Sequence, residues 1–385
     1  MAVLWATLAD TVPLYALYAL LFADSGLSDA QISTLFLIWS TVGIVAEVPC
    51  GALADRFSRR AALVASGVLQ AAGYVLWITV PGYEAFAAGF VLWGLGGAFG
   101  SGALEALLYD GMASVGAEAH YARVYGRVTA AGLLSQIPSA LAATVLFSTG
   151  GYDLVGWASV ACCLTAAAVA TRLPDARPTP APGAAGALDE PAGSKGYLEV
   201  LRSGLAEAAR HPAVRAAVVA VAVLGGLDGL EEYFPLLAQD WGVPTSVVPL
   251  AVLGIPLVGA AGAAFGGVAS RVRPRTLAVL LGVAVSVFGA ATLLRRPLGV
   301  AGIAVAYGLY QLVLVVTDAR LQQRIEGPGR ATVTSVASLG VEVTAVFLFG
   351  AWALGQPLLV AAVAVAMVGG LPWLLRTPSG VAVEE

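Results

Sequence analysis

Apolar residues in this chain come in runs close to the ~20 that a helix needs to cross a ~30 Å hydrocarbon core, and short polar stretches separate the runs. Such a chain cannot hide its apolar surface from water. Of its 385 residues 59% are hydrophobic and 11% are charged, against roughly 25% charged in soluble globular domains. In lipid only segments that satisfy their own backbone hydrogen bonds can span, so an all-α membrane protein is predicted. Turn residues divide the runs into twelve transmembrane helices. The first six are expected at about 2–23, 29–53, 61–80, 84–110, 124–148 and 152–171, the second six at about 213–237, 245–269, 275–294, 298–319, 331–353 and 357–375. The first run ends at Asp24-Ser25-Gly26 without a small-residue cleavage pattern, so it reads as span 1 rather than a signal peptide.

Charge placement tests this map. With the N-terminus inside, only Arg295 and Arg296 of the 20 basic residues fall in outer loops. This positive-inside bias predicts an even number of spans with both termini cytoplasmic. Lys195 is the single lysine, and the heavy use of Arg, Ala and Gly points to a high-GC bacterial genome and hence a bacterial inner membrane. The basic residues sit in loops rather than in a phosphate-binding stripe, so no nucleic-acid partner is expected. Cys50, Cys162 and Cys163 lie in apolar runs and read as small core residues, and His120 and His211 read as solvated loop residues. No metal and no cofactor is expected. The chain has no G-x-x-x-x-G-K loop, no H-E-x-x-H and only two histidines, which argues against an enzyme.

The one long polar stretch, 172–212, opens with Pro174, Pro178, Pro180 and Pro182 and reads as a linker. Its later part spaces Leu198, Leu201 and Leu205 for a short amphipathic helix on the inner membrane face. An N-terminal six-helix bundle over 1–171 and a C-terminal one over 213–385 flank it. The halves repeat weakly: at an offset of 216 Gly26 matches Gly242, Gly51 matches Gly267 and Arg59 matches Arg275, while at about 208 Asp110 matches Asp318. Two pseudo-symmetric bundles are implied.

After span 2 comes Gly51-Ala52-Leu53-Ala54-Asp55-Arg56-Phe57-Ser58-Arg59-Arg60-Ala61-Ala62-Leu63. This resembles the signature between helices 2 and 3 of the major facilitator superfamily, roughly G-x-L-A-D-R-x-G-R-R-x-x-L, with Ser58 where a glycine is usual. The resemblance implies a twelve-helix carrier in which Gly51, Asp55, Arg56, Arg59 and Arg60 belong to a gate. In that family the aspartate contacts helix 11, which starts here near Ala331, and a basic residue meets an acid at the cytoplasmic end of helix 4, the place Asp110 occupies. Two patterns common in the family's drug and proton exchangers are absent: helix 4 reads Leu92-Trp93-Gly94-Leu95-Gly96 with no arginine, and helix 5 reads Gly132 to Ser139 without the G-x-x-x-G-P-x-x-G-G pattern.

Ionisable groups inside a span are expensive and mark function by default. The spans contain Asp10, Glu47, Glu105, Asp228, Glu231, Glu232 and Glu342, with no Lys or Arg at comparable depth. Protonation, hydrogen bonds or a cationic ligand would reduce the cost. At 1.5 Å per residue Glu342 lies roughly 16 Å and Asp10 roughly 12 Å from the inner edge, both near the midplane. Glu47 and Glu105 lie in the inner third. Asp228, Glu231 and Glu232 lie in the outer half of span 7 beside Pro235, where a broken helix would line a vestibule; the adjacent glutamates point about 100° apart, so one of them faces it. Asp10, Glu105, Asp228, Glu231 and Glu342 are the candidate substrate- and proton-binding residues. Tyr15, Tyr18, Trp39, Tyr109, Tyr233 and Tyr310 are candidates to wall an amphipathic cavity. The reading is a monomeric secondary transporter in the lipid bilayer that exports small amphipathic or cationic molecules in exchange for protons; the alternatives are an importer or facilitator of a small nutrient, or a receptor on the same fold.

Overall fold

The computed structural model describes residues 1–174, 211–269, 272–325 and 330–376, and the apolar runs within them are helical, with no strand among the described residues. The chain divides into two compact units, Met1–Tyr197 with Thr245–Leu250 and Leu198–Pro244 with Ala251–Glu385. The proline-rich linker and the predicted amphipathic helix lie outside the described residues. The first unit holds Ala2–Asp24 (span 1), Asp29–Arg56 (2), Arg59–Thr79 (3), Tyr83–Ala113 (4) and Tyr121–Ala170, which contains spans 5 and 6. Spans 5 and 6 meet at Gly150-Gly151, where Gly151 adopts φ 60° and ψ −155°, a region closed to residues with a Cβ. In the second unit follow Pro212–Asp240 (7), Val248–Ala264 with Gly266–Ala269 (8, from Ala251 onward), Pro274–Leu294 (9), Gly299–Arg324 (10), Arg330–Ala353 (11) and Pro357–Leu374 (12).

Spans 1 and 4 depart from the expected continuous helices, and span 7 is broken as its Pro235 predicted. Span 1 stops at Asp10, continues as a 3-10 turn over Pro13–Ala16 and resumes at Tyr18. Pro13 supplies no N–H and its ring excludes the carbonyl four residues back, so the α ladder breaks there. The Leu14 N–H instead donates to Ser159 Oγ on span 6, at 2.9 Å. Span 7 breaks likewise: Pro212–Gly226 is α-helix, Leu227–Tyr233 is 3-10 and Phe234–Asp240 is α again, with Pro235 at the restart. Tyr310 on span 10 donates its hydroxyl to the Leu224 carbonyl beside this break. Span 4 is interrupted at Ser101-Gly102.

The motif after Gly51 also differs from its expected loop. Gly51 to Arg56 form the last turns of span 2, and only Phe57 and Ser58 separate that helix from span 3. Ser58, the departure from the family pattern, caps span 3 by accepting the Ala61 N–H at 3.0 Å.

The repeat is visible in backbone geometry. Gly26 and Gly242 both sit at φ 90°. At the end of span 1 the N–H groups of Gly26 and Leu27 donate to Ala23 and Phe22; at the end of span 7 those of Gly242 and Val243 donate to Gln239 and Ala238. These are the same glycine-closed helix ends, 216 residues apart.

Packing in the first unit is aromatic toward one end. Tyr18, Phe22, Phe36, Trp77, Phe86 and Phe90 are all buried, with ring centroids 4.4 Å apart for Phe22 and Phe86 and 6.0 Å for Tyr18 and Phe36. Trp77 Nε1 donates to the Phe86 carbonyl at 3.1 Å. Cys50 and Cys163 are buried and unbridged. In the second unit Leu277, Ala278 and Leu281 of span 9 form a core with Met367, Leu371 and Leu375 at span 12 and with Val313 and Val316 of span 10. Where span 7 starts and span 12 ends, Arg324 donates to the carbonyls of Ala213, Leu374 and Arg376 at 3.0, 3.0 and 3.1 Å, tying spans 7, 10 and 12 together through backbone atoms.

Candidate functional site

The broken helix of span 7 concentrates acids. Asp228, Glu231 and Glu232 fall in its 3-10 segment, near the middle of the 29-residue span Pro212–Asp240. Glu232 is buried at 7% exposure while Glu231 is exposed, so the two adjacent side chains diverge. Span 10 answers with neutral donors: Gln311 Nε2 donates to Asp228 Oδ1 at 3.1 Å, and the Tyr307 hydroxyl donates to Glu231 Oε2 at 3.3 Å. Among the described residues no Lys or Arg pairs with Asp228 or Glu231. Two carboxyls within an apolar span are therefore held by an amide and a phenol, groups that serve a protonated acid, a carboxylate or a carboxylate with a bound cation.

Beside this cluster the second unit encloses a cavity of about 370 Å³. Its walls come from spans 7, 9, 10, 11 and 12 and are apolar apart from Asp228, Tyr307, Tyr310 and Thr292. Trp352 of span 11 lines it and stacks on Tyr233 with centroids 4.5 Å apart. The volume lies at the low end of ligand pockets, ~300–1,000 Å³.

Asp10 occupies the corresponding break in the first unit. It lines a smaller cavity of about 150 Å³ with Trp5, Ser66 and Gln70. Its carboxylate abuts Gly132 of span 5, where a Cβ would collide with it. Glu105 accepts from Tyr125 OH at 2.7 Å, and Glu47 accepts from Ser101 Oγ at 3.1 Å at the interruption in span 4. Glu342 is exposed on span 11. The second unit thus brings Asp228 and Glu231 to one face of span 10, while Asp10 and Glu105 have separate surroundings in the first unit.

Two expected cavity aromatics are core residues instead. Tyr18 at 4% and Tyr233 at 3% exposure are packed among other rings, which leaves them no open face. Tyr307, Gln311 and Tyr125 contact the acids and were not anticipated from the sequence. Tyr307 and Gln311 stand four apart, a spacing that puts two polar groups on one face of an apolar helix.

Of the motif residues, Arg59 Nη1 binds Asp110 Oδ2, joining the start of span 3 to the end of span 4. Arg60 Nη1 lies 3.5 Å from the Leu173 carbonyl just past span 6, and the Arg56 guanidinium is 5.7 Å from the Phe57 ring centroid. A Cβ at Gly51 would meet nothing within 4 Å. The Asp55 side chain lies outside the described set.

No curated protein sequence matches this chain. Solved structures do, at low identity. A bacterial homolog of the human lysosomal transporter Spinster is 15% identical with a TM-score of 0.71, covering 98% of this chain and 97% of that one. The nucleoside transporter NupG is 11% identical with a TM-score of 0.73, covering 98% and 100%. A D-xylose-proton symporter is 13% identical with a TM-score of 0.69, covering 99% and 98%. These establish the fold. A family model described as Major Facilitator Superfamily matches residues 1–340, a stretch that takes in the first unit and runs on into span 11. The chain belongs to the major facilitator superfamily, whose members are membrane carriers and not enzymes.

Proposed function

We propose that this carrier couples protons to the movement of small amphipathic or cationic molecules by alternating access, and that it runs as an exporter. The supporting observation is the pair Asp228 and Glu231, held in mid-span by Gln311 and Tyr307 with no cationic side chain on either among the described residues. A carboxyl so placed offers one position to a proton or to an organic cation, and competition for it couples the two fluxes. The importer reading uses the same chemistry with the opposite sign of flux.

The deciding experiment is transport by the purified protein in liposomes under an imposed pH gradient, with tetraethylammonium and neutral solutes as cargo. Flux of the cation against the proton gradient is expected, and Asp228→Asn should abolish gradient-driven flux while cation-for-cation exchange persists. Flux in the direction of the protons would make it a symporter. Cargo movement indifferent to the gradient would sink proton coupling.

The distribution of arginines supports both termini on the cytoplasmic side, and the heavy use of Arg, Ala and Gly supports a bacterial inner membrane. In a background lacking native cysteines, Ser25→Cys should react with an impermeant maleimide from outside intact cells, and Ser114→Cys only after permeabilisation. Labelling of both from one side would overturn the orientation.

A further inference from the structure

The 370 Å³ cavity is more specific than a general solvent pocket, because its lining is apolar apart from one carboxyl, two tyrosines and one threonine. Spans 9 and 12 are joined toward one end by Leu277, Ala278, Leu281, Met367 and Leu371, and the cavity opens beyond that seam. Its span 12 side consists of Leu358, Val360, Ala361, Ala364 and Val365, of which Leu358 is 80% and Val365 60% exposed. Leu293 and Val283 of span 9 and Leu354 after span 11 are exposed as well, at 86%, 44% and 79%. In a bilayer such a surface faces hydrocarbon. The same lining includes Asp228 of span 7 and Tyr307 and Tyr310 of span 10. Span 9 adds Phe288 and Thr292.

We infer that this cavity is the binding site for the tail of a membrane-dissolved monocationic amphiphile, a single-chain alkyl or arylalkyl amine, which enters between spans 9 and 12 and pairs its ammonium group with Asp228. The inference rests on the reading of Asp228 as a cation-binding acid given under Proposed function, and adds to it the substrate class and the route. Three features carry it. The walls are too apolar to hold a hydrophilic cation away from Asp228. The tyrosine faces suit the methyl groups of an alkylammonium. Charge and shape, rather than hydrophobicity, set the selectivity, because lipid tails are as apolar as the cavity walls and a chain gains little by leaving one for the other. Recognition therefore reads the presence of a positive head and the length of the tail.

The test uses the full-length protein in lipid nanodiscs and radiolabelled dodecyltrimethylammonium, with binding expressed per molecule dissolved in the membrane. Saturable binding is expected, displaced by alkyltrimethylammonium homologues of increasing length up to a cut-off set by the cavity, and displaced neither by dodecanol nor by tetramethylammonium. Asp228→Asn should weaken binding about tenfold or more, the scale of an ion pair lost from an apolar site. Ala361→Trp, on the exposed side of span 12, should block entry and slow association; it is preferred to filling the cavity at Ala306, which is buried and where a large side chain threatens the fold. Displacement by dodecanol at the same membrane concentration would overturn the inference in favour of an ordinary acyl-chain niche, and unchanged association in Ala361→Trp would overturn the route. Proton-coupled flux of tetraethylammonium with no saturable alkylammonium binding would defeat this inference and leave the proposed function standing. Saturable, Asp228-dependent binding without any proton-coupled flux would support the inference and defeat that function.

Discussion

Asp228 and its two neighbours on span 10 show how a carboxyl is held inside an apolar span with no Lys or Arg on it among the described residues. Gln311 donates to it directly, and Tyr307 occupies the nearest oxygen of Glu231, so each acid has a directed partner. Gln311→Ala and Tyr307→Phe should each weaken cation binding about threefold to tenfold while leaving proton coupling in place, a range that follows from neutral hydrogen bonds worth ~1 kcal/mol. Equilibrium binding at two pH values checks both points, and loss of pH dependence in Gln311→Ala would show that the amide helps move the proton. The acids themselves were legible in the sequence, because a carboxylate in an apolar run stands out. Their partners were not. Tyr307 and Gln311 are ordinary polar residues in span 10, and one sequence does not reveal which face of that helix turns toward span 7. Tyr18 and Tyr233 failed in the other direction: an aromatic near an acid reads as a cavity wall, whereas shape complementarity with Phe36, Phe90 or Trp352 draws it into the core.

Helices that break in mid-span need their freed backbone groups satisfied by another element, since lipid offers no donors or acceptors. Ser159 does this for span 1 and Tyr310 for span 7. Ser159→Ala and Tyr310→Phe should each lower stability by about 1 kcal/mol, in line with interhelical hydrogen bonds in membranes, read as a lower midpoint of thermal unfolding in detergent. Arg324 does more, holding carbonyls at the ends of two further spans, and Arg324→Ala should cost about 1–3 kcal/mol. An unfolding midpoint equal to wild type would show that these carbonyls are served by water instead. The contact of Arg59 with Asp110 fastens span 3 to span 4 beside the motif. As part of a gate it should affect rate more than affinity: Arg59→Ala or Asp110→Asn is expected to slow transport strongly with binding nearly unchanged. An equal loss in both would place the pair in substrate binding. The twelve apolar runs announced the spans to within a few residues, because hydrophobic length is the dominant signal in lipid. Pro13 sits inside one such run, so hydropathy alone merged the two halves of span 1. Arg324 read only as an inside-facing charge, since its partners are backbone atoms that any sequence would supply.

Across the whole chain, the equivalence of the Gly26 and Gly242 helix ends turns a weak sequence repeat into a geometric one. The offset was legible because both positions need a residue without a Cβ, while the intervening side chains have diverged. The second copy of the motif is eroded: Arg271 stands 216 residues from Asp55, and the pairing of Arg59 with Asp110 has no sequence-level echo beyond Arg275 and Asp318. The depth of the span 7 break carries an electrical consequence. Moving one elementary charge through the full membrane potential takes ~2.3 kcal/mol per 100 mV, so a proton that reaches an acid near mid-span from one aqueous side crosses roughly half the field, worth about 1 kcal/mol at 100 mV. Occupancy of Asp228 and Glu231 by protons should then respond to voltage even with equal pH on both sides. In liposomes clamped with potassium and valinomycin, a step in potential should drive a transient charge movement without any cargo, and Asp228→Asn should diminish it.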